Sequence, residues 1–196
     1  IMVSNNSDIG LTEEGVRRSI REARTIVVKV GSSSLTDETG HLDVSRLRNL
    51  VCAISHTQMM GARVVLVSSG AIAAGFGLLG FSERPKDVPT QQATASVGQG
   101  LLMAQYESAF SQFGIRVGQM LLTADVTISP SRYRNAQRTM LRLLELGIVP
   151  IVNENDALSS NEIRFGDNDR LASLVANIVR ADALVLLTDV DALYTA

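Results

Sequence analysis

Short apolar runs alternate with longer amphipathic stretches along most of the chain. Residues 25–30 (TIVVKV) are largely β-branched and apolar, as a strand buried on both faces would be. Gly31 and three serines follow and read as a turn. The stretch 43–60 then spaces Val44, Leu47, Val51 and Ile54 along one helical face and stops at Gly61. A second buried strand is predicted over 63–67, a short helix over 71–74, a loop of turn formers over 80–89 and a long helix over 90–113. Strands over 117–122, 148–152 and 183–187 alternate with helices over 130–145 and 169–179, and 157–166 reads as a short hairpin. Residues 1–24 are polar and read as an amino-terminal extension, with an amphipathic helix from Glu13 to Arg24.

Strands that alternate with helices predict a mostly parallel sheet covered on both faces. The expected fold is α/β, a three-layer αβα sandwich with right-handed crossovers. Ligands of such folds gather at the carboxyl ends of the strands, and the polar turns of this chain fall there. The first strand runs into Lys29-Val30-Gly31-Ser32-Ser33-Ser34 and the second into Ser68-Ser69-Gly70. The strand over 148–152 leads to Asn153-Glu154-Asn155-Asp156, and Gly166-Asp167-Asn168-Asp169 follows after the hairpin. The last strand ends in Thr188-Asp189-Val190-Asp191.

Composition sharpens one of these turns. The 18 basic residues comprise 16 arginines and two lysines, Lys29 and Lys86, so Lys29 is not one of many interchangeable surface charges. An ammonium that ends an apolar strand needs an anion or open water. Gly31 and the serines after it offer backbone N–H groups and hydroxyls that suit phosphate oxygens. For that strand alone, a lysine snorkelling to solvent is the plainer alternative. Ser68-Ser69-Gly70 opens a helix, where a serine either caps the helix or helps to seat an anion. The acids and amides of 153–156 and 167–169 can together grip an amino acid, carboxylate to ammonium and amide to carboxylate. Asp167 or Asn168 can also serve as a plain N-cap.

Other features narrow the function by exclusion. At 45% hydrophobic the chain supports a real core, and a net charge of −2 lacks the basic excess of a nucleic-acid or membrane-surface binder. No apolar run approaches the about 18 residues of a membrane span. His41 and His56 are too few and too poorly spaced for a metal cluster, so no protein-held metal is expected. Cys52, the single cysteine, permits no internal disulfide; a reducing, cytoplasmic setting is expected, with Cys52 as core filler. Residues 75–80 (GFGLLG) match a dinucleotide fingerprint but follow a short helix where a strand is required, and no P-loop motif is present.

These residues resemble the amino-acid kinase family. The stretches VVKVGSSSL (27–35), VSSGAIAAG (67–75), VGQMLLT (117–123), VPIVNENDA (149–157), FGDNDRLA (165–172) and LLTDVDALYT (186–195) carry the likeness. SSGAIAAG, NENDA and GDND resemble most closely the branch that phosphorylates the side-chain carboxylate of glutamate, the first step of proline biosynthesis. That branch includes the kinase half of bifunctional pyrroline-carboxylate synthases.

The resemblance implies an amino-acid kinase domain over 25–196, with Lys29 holding the transferring phosphate and Asp169 orienting the catalytic lysines. It implies Ser69, Asp156 and Asn168 at glutamate, and Lys29, Gly31, Ser32, Thr188 and Asp189 at the nucleotide. ATP with Mg2+ is the implied phosphoryl donor, proline the implied feedback inhibitor near the 157–166 hairpin, and a homo-oligomer the implied assembly. Ala192 stands where the family usually has glycine. The family continues with a glycine-rich segment carrying another catalytic lysine, so the domain is expected to be incomplete here, lacking much of the nucleotide-binding half, and this stretch alone inactive. A sibling kinase with another carboxylate substrate and a non-catalytic glutamate or proline sensor are the alternatives.

Overall fold

The computed structural model describes residues 2–3, 13–81, 83, 85–158 and 168–188. In chain order the elements are β1 (Met2–Val3), α1 (Glu13–Arg21), β2 (Thr25–Val30), α2 (Ser32–Leu35), α3 (Val44–Met59), β3 (Arg63–Ser68), α4 (Ala71–Phe76) and α5 (Val88–Ser111). There follow β4 (Val117–Leu122), a 3-10 turn (Ala124–Thr127), α6 (Pro130–Glu145), β5 (Val149–Glu154), α7 (Asn168–Val179) and β6 (Ala183–Leu187). The sheet order is β1-β6-β2-β3-β5-β4. Five strands run parallel, and β1 adds an antiparallel edge beside β6.

Alternation along each strand sorts its side chains into two cores. Val27, Val65, Val67 and Val152 pack with Met140 and Leu144 of α6 and with Leu171, Val175 and Ile178 of α7. Val64, Leu66, Val149 and Ile151 pack on the other face with Leu47, Val51 and Ile54 of α3 and with Leu102, Tyr106 and Phe110 of α5. Each such fully buried aliphatic side chain stabilises the fold by about 1.5–3 kcal/mol relative to exposure. The three-layer sandwich expected from the alternation is thus the observed fold. No helix among the described residues is long and apolar enough to cross a membrane.

Several local expectations are corrected. The serines after Gly31 form the one-turn helix α2, not an open turn. Helix α5 begins at Val88, because Asp87 accepts the Thr90 N–H and Pro89 fits the first turn, so the preceding loop is shorter than its composition suggests. Strand β5 runs on through Asn153 and Glu154, which pair with Leu121 and Leu122 of β4. Part of the extension joins the sheet as β1. Cys52 is exposed: α3 buries Leu47, Val51, Ile54 and Ser55, and a residue one step past Val51 is turned about 100° away from that face. The 157–166 hairpin lies outside the described residues beyond Leu158, as do Asp167, Asp189, Asp191 and Ala192.

The GFGLLG stretch has a packing role. Gly75 sits in α4 against Gly98 of α5, and a Cβ on Gly98 would run into the Ala71 carbonyl oxygen. The two helices cross there backbone to backbone.

Candidate functional site

Lys29 shares the face of β2 that carries Val27 and turns toward α7. It is only 8% exposed, and its ammonium lies 2.6 Å from Asp169 Oδ1 at the start of α7. The lysine therefore does not snorkel to water; a buried cation persists here because a carboxylate meets it. Gly31 follows directly. A Cβ there would stand 3.7 Å from Lys29 Nζ and 4.0 Å from the Leu187 carbonyl oxygen. Val30 and Leu187 are register partners, so Thr188 emerges beside Gly31 at the end of β6, exposed. Gly31 precedes α2 without a side-chain cap, and Ser32 is that helix's first residue.

On the other flank, Asn168 ties two strand ends together. Its Nδ2 donates to Ser69 Oγ at 2.8 Å, to Asn153 Oδ1 at 3.2 Å and to the Ser68 carbonyl at 3.3 Å. Asn153 Oδ1 also accepts the Glu154 backbone N–H at 2.9 Å, while its Nδ2 donates to Gln99 Oε1 at 3.0 Å. Asn168 thus spends its amide on cross-strand bonds that a simple cap does not need. Ser69 is not the cap of α4 either: Gly70 holds that position with φ 103°, a left-handed conformation open to glycine. The Ser69 N–H bonds Val30 O at 3.1 Å, which links the ends of β2 and β3.

Between these elements and α4 lies a cleft of about 490 Å³. Ser32, Ser69, Asn153, Glu154, Asp156 and Asn168 line it. Two carboxylates, two amides and two hydroxyls make a set that can hold an ammonium and a carboxylate of one small molecule. Lys29, Gly31, Asp169 and Thr188 lie outside the lining, toward β2 and β6. The strand order therefore sets the acids and amides of the cleft at the ends of β3 and β5, Lys29 with Gly31 at the end of the neighbouring β2, and Thr188 at the end of β6 beyond it, with Ser32 reaching back from β2 into the cleft. Of the residues that the resemblance places at glutamate or the nucleotide, only Asp189 falls outside the described residues. Among the described residues no three His, Cys, Asp or Glu come together as a metal cage.

Sequence reading missed part of the cleft. Thr36, Thr39 and Gly40 form one wall, on a turn closed by the Thr36–Leu42 bridge. Asp37 holds that turn, accepting the Thr39 hydroxyl at 2.6 Å and the N–H groups of Thr39 and His41. These bonds, the Thr39 hydroxyl first, hold the Asp37 carboxyl below its usual range. A single bridge leaves no periodic signal to read. Gln99, which bonds Asn153 from outside the lining, was also missed: α5 buries Thr94 among its apolar residues, so its inward face carries no clean apolar signal.

Residues 24–196 match the amino acid kinase family. The glutamate 5-kinase of Bifidobacterium animalis subsp. lactis is 72% identical over 185 residues, 94% of this chain and 49% of that protein. The glutamate 5-kinase of Thermobifida fusca is 60% identical over 178 residues, 91% of this chain and 46% of that protein. The chain spans about half the length of the curated relatives it matches. Among solved structures, isopentenyl phosphate kinase from T. acidophilum superposes with a TM-score of 0.60 at 19% identity, covering 88% of this chain and 73% of that one. UMP kinase from Bacillus anthracis gives 0.57 at 17% identity, with 89% and 68% covered. At such identities the two structures speak for the fold alone.

Proposed function

This chain belongs to the amino acid kinase family, and on that premise we propose that it carries the acceptor side of an ATP-dependent kinase for the side-chain carboxylate of glutamate. The products would be γ-glutamyl phosphate and ADP, the first step of proline biosynthesis. The observation that carries this reading is the order of groups across the strand ends: acids and amides at β5 and β3, the Lys29–Asp169 pair with Gly31 at β2, then Thr188 at β6. The printed names of the relatives, glutamate 5-kinase, support the same substrate.

In this reading Asp156 meets the ammonium of glutamate, Asn168 helps to bind it, and Ser69, whose Oγ accepts from Asn168, donates its own proton to one of the carboxylates. A carboxylate is already ionised at pH 7, so no general base is needed. One of its oxygens attacks the terminal phosphorus of ATP, the bond to the bridging oxygen breaks, and ADP leaves with that electron pair. Catalysis then consists of in-line positioning and neutralisation of charge on the phosphoryl oxygens. Lys29 supplies the cation, and Asp169 holds its ammonium at the strand end. Gly31, Thr188 and Asp189 serve the nucleotide, and so does Ser32, which lines the cleft and so stands where the transferring phosphate meets glutamate. Magnesium would be carried by the nucleotide's phosphates and would add to the neutralisation of charge on the phosphoryl oxygens. The resemblance further supports proline as a feedback inhibitor, a homo-oligomer, a cytoplasmic setting, and a nucleotide site completed beyond residues 25–196.

Hydroxylamine trapping of acyl phosphate by the full-length protein, with ATP, magnesium and a panel of amino acids, tests the proposal. Hydroxamate formed with glutamate alone is the expected result. No hydroxamate with any acid, while glutamate still binds, would overturn the kinase and leave an amino-acid sensor.

A further inference from the structure

Helix α5 turns a largely apolar stripe toward the sheet, with Ala95, Leu102, Ala109 and Phe110 buried along it. Two larger polar side chains interrupt the stripe seven residues apart, which is about two helical turns. Gln99 is 8% exposed and Tyr106 is fully buried. Neither lines the cleft. Burying an amide and a phenol in a packed core is unfavourable unless they are bonded, so their partners indicate what they do there.

Both partners lead to the cleft. The Glu154 backbone N–H can only donate, so it fixes which end of Asn153 is oxygen. Asn153 Nδ2 must then face Gln99, which answers with Oε1 at 3.0 Å. With that amide seated, Asn153 Oδ1 receives Asn168 Nδ2, which also reaches Ser69 Oγ. Tyr106 supports the other side. Ser68 Oγ gives its single proton to the Ser69 carbonyl at 2.9 Å, so the Tyr106 hydroxyl, 2.8 Å away, donates to Ser68 Oγ. Burial pushes the Tyr106 phenol above its ordinary range, which keeps it a donor. Gln99 keeps its place although its own Nε2 is buried with no hydrogen-bond partner among the described residues. An apolar side chain would pack there without that penalty.

We propose that Gln99 and Tyr106 are positioning residues for the acceptor cleft: from inside α5 they hold Asn153 and the Ser68–Ser69 segment, and through them Asn168 and Ser69. The proposal rests on the reading of Ser69 and Asn168 as glutamate-binding residues. The test is steady-state kinetics of the full-length protein with the hydroxylamine trap, using Gln99→Met and Tyr106→Phe. Leu102→Val, between them on the same stripe, controls for packing. Each polar variant should raise KM for glutamate about fivefold or more, as loss of one buried hydrogen bond commonly does, with KM for ATP unchanged. Leu102→Val should move neither KM. Should Gln99→Met fail to fold, Tyr106→Phe, which removes one oxygen atom, carries the test. Glutamate KM unchanged in the folded variants, or rising in step with that for ATP, overturns the positioning role. A wild-type protein that forms no glutamyl hydroxamate would instead bring down the functional reading, and this proposal with it.

Discussion

Gly98 and Gly100 lie two residues apart in α5, and by helix propensity alone alanine should stabilise the fold by about 1 kcal/mol at either. Packing separates them. A Cβ on Gly98 would press on the Ala71 carbonyl and the Gly75 backbone nitrogen. Those are backbone atoms of α4, so the whole helix must move. Overpacking of this kind costs roughly 1–3 kcal/mol. Because backbone cannot swing aside, the upper end applies, and after the propensity gain a net loss of about 2 kcal/mol remains. At Gly100 nothing lies within 4 Å and the position is exposed, so the full gain survives. The two variants should therefore differ by about 3 kcal/mol in opposite directions. Equilibrium urea unfolding of the full-length protein, followed by circular dichroism and compared at equal m-values, measures this. If Gly98→Ala proves as stable as Gly100→Ala, the backbone-to-backbone crossing of α4 and α5 is wrong.

Other expectations concern the site and its surroundings. Lys29→Ala should cut turnover by ~10²-fold or more, as loss of one charge-stabilising donor commonly does; near wild-type turnover would remove Lys29 from the chemistry. Asn168→Ala should raise KM for glutamate more than KM for ATP, since its amide bonds lie on the β3–β5 side of Lys29; equal rises would argue against that division. Asp37, Asp43 and Asp87 sit below the ordinary 3.8, held there first by hydrogen bonds from the side chains of Thr39, Ser45 and Thr90. A lowered folded pKa lends stability that is present above the unfolded value and lost as pH falls through the folded one. Acid titration should thus show stability declining below about pH 4, and less steeply in Asp43→Asn, whose amide still caps α3 but cannot titrate. The exposed thiol of Cys52 should react with a thiol reagent in the native state; protection would return it to the core.

Much of this architecture is legible in the sequence wherever its punctuation is chemical. Pro130 fits the first turn of α6 and Gly147 follows its end in a left-handed conformation, so the bounds read from sequence are those observed. The polar turns at the ends of β2, β3 and β5 converge as the parallel alternation requires. Features that depend on distant partners are not readable. Asn168 meets Ser69 and Asn153 across separations of 99 and 15 residues, and nothing local distinguishes that use of its amide from a cap. Helix α5 buries small polar residues such as Thr94 along with its apolar ones. Its sequence therefore signals a helix while hiding which face meets the sheet, and Gln99 with it. The misreading of Cys52 has a simpler cause: a helical face places a residue one position past Val51 on the solvent side. The two-residue strand β1 is too short for any alternation to show.

The central claim is that glutamate is gripped on the β3–β5 side while Lys29 acts on the phosphoryl group. Calorimetric titration of glutamate into full-length Lys29→Ala tests it most directly. The account predicts glutamate affinity within about twofold of wild type, the lysine being reserved for transition-state charge. Loss of glutamate binding in that variant would contradict it, because Lys29 would then belong to the acceptor pocket itself.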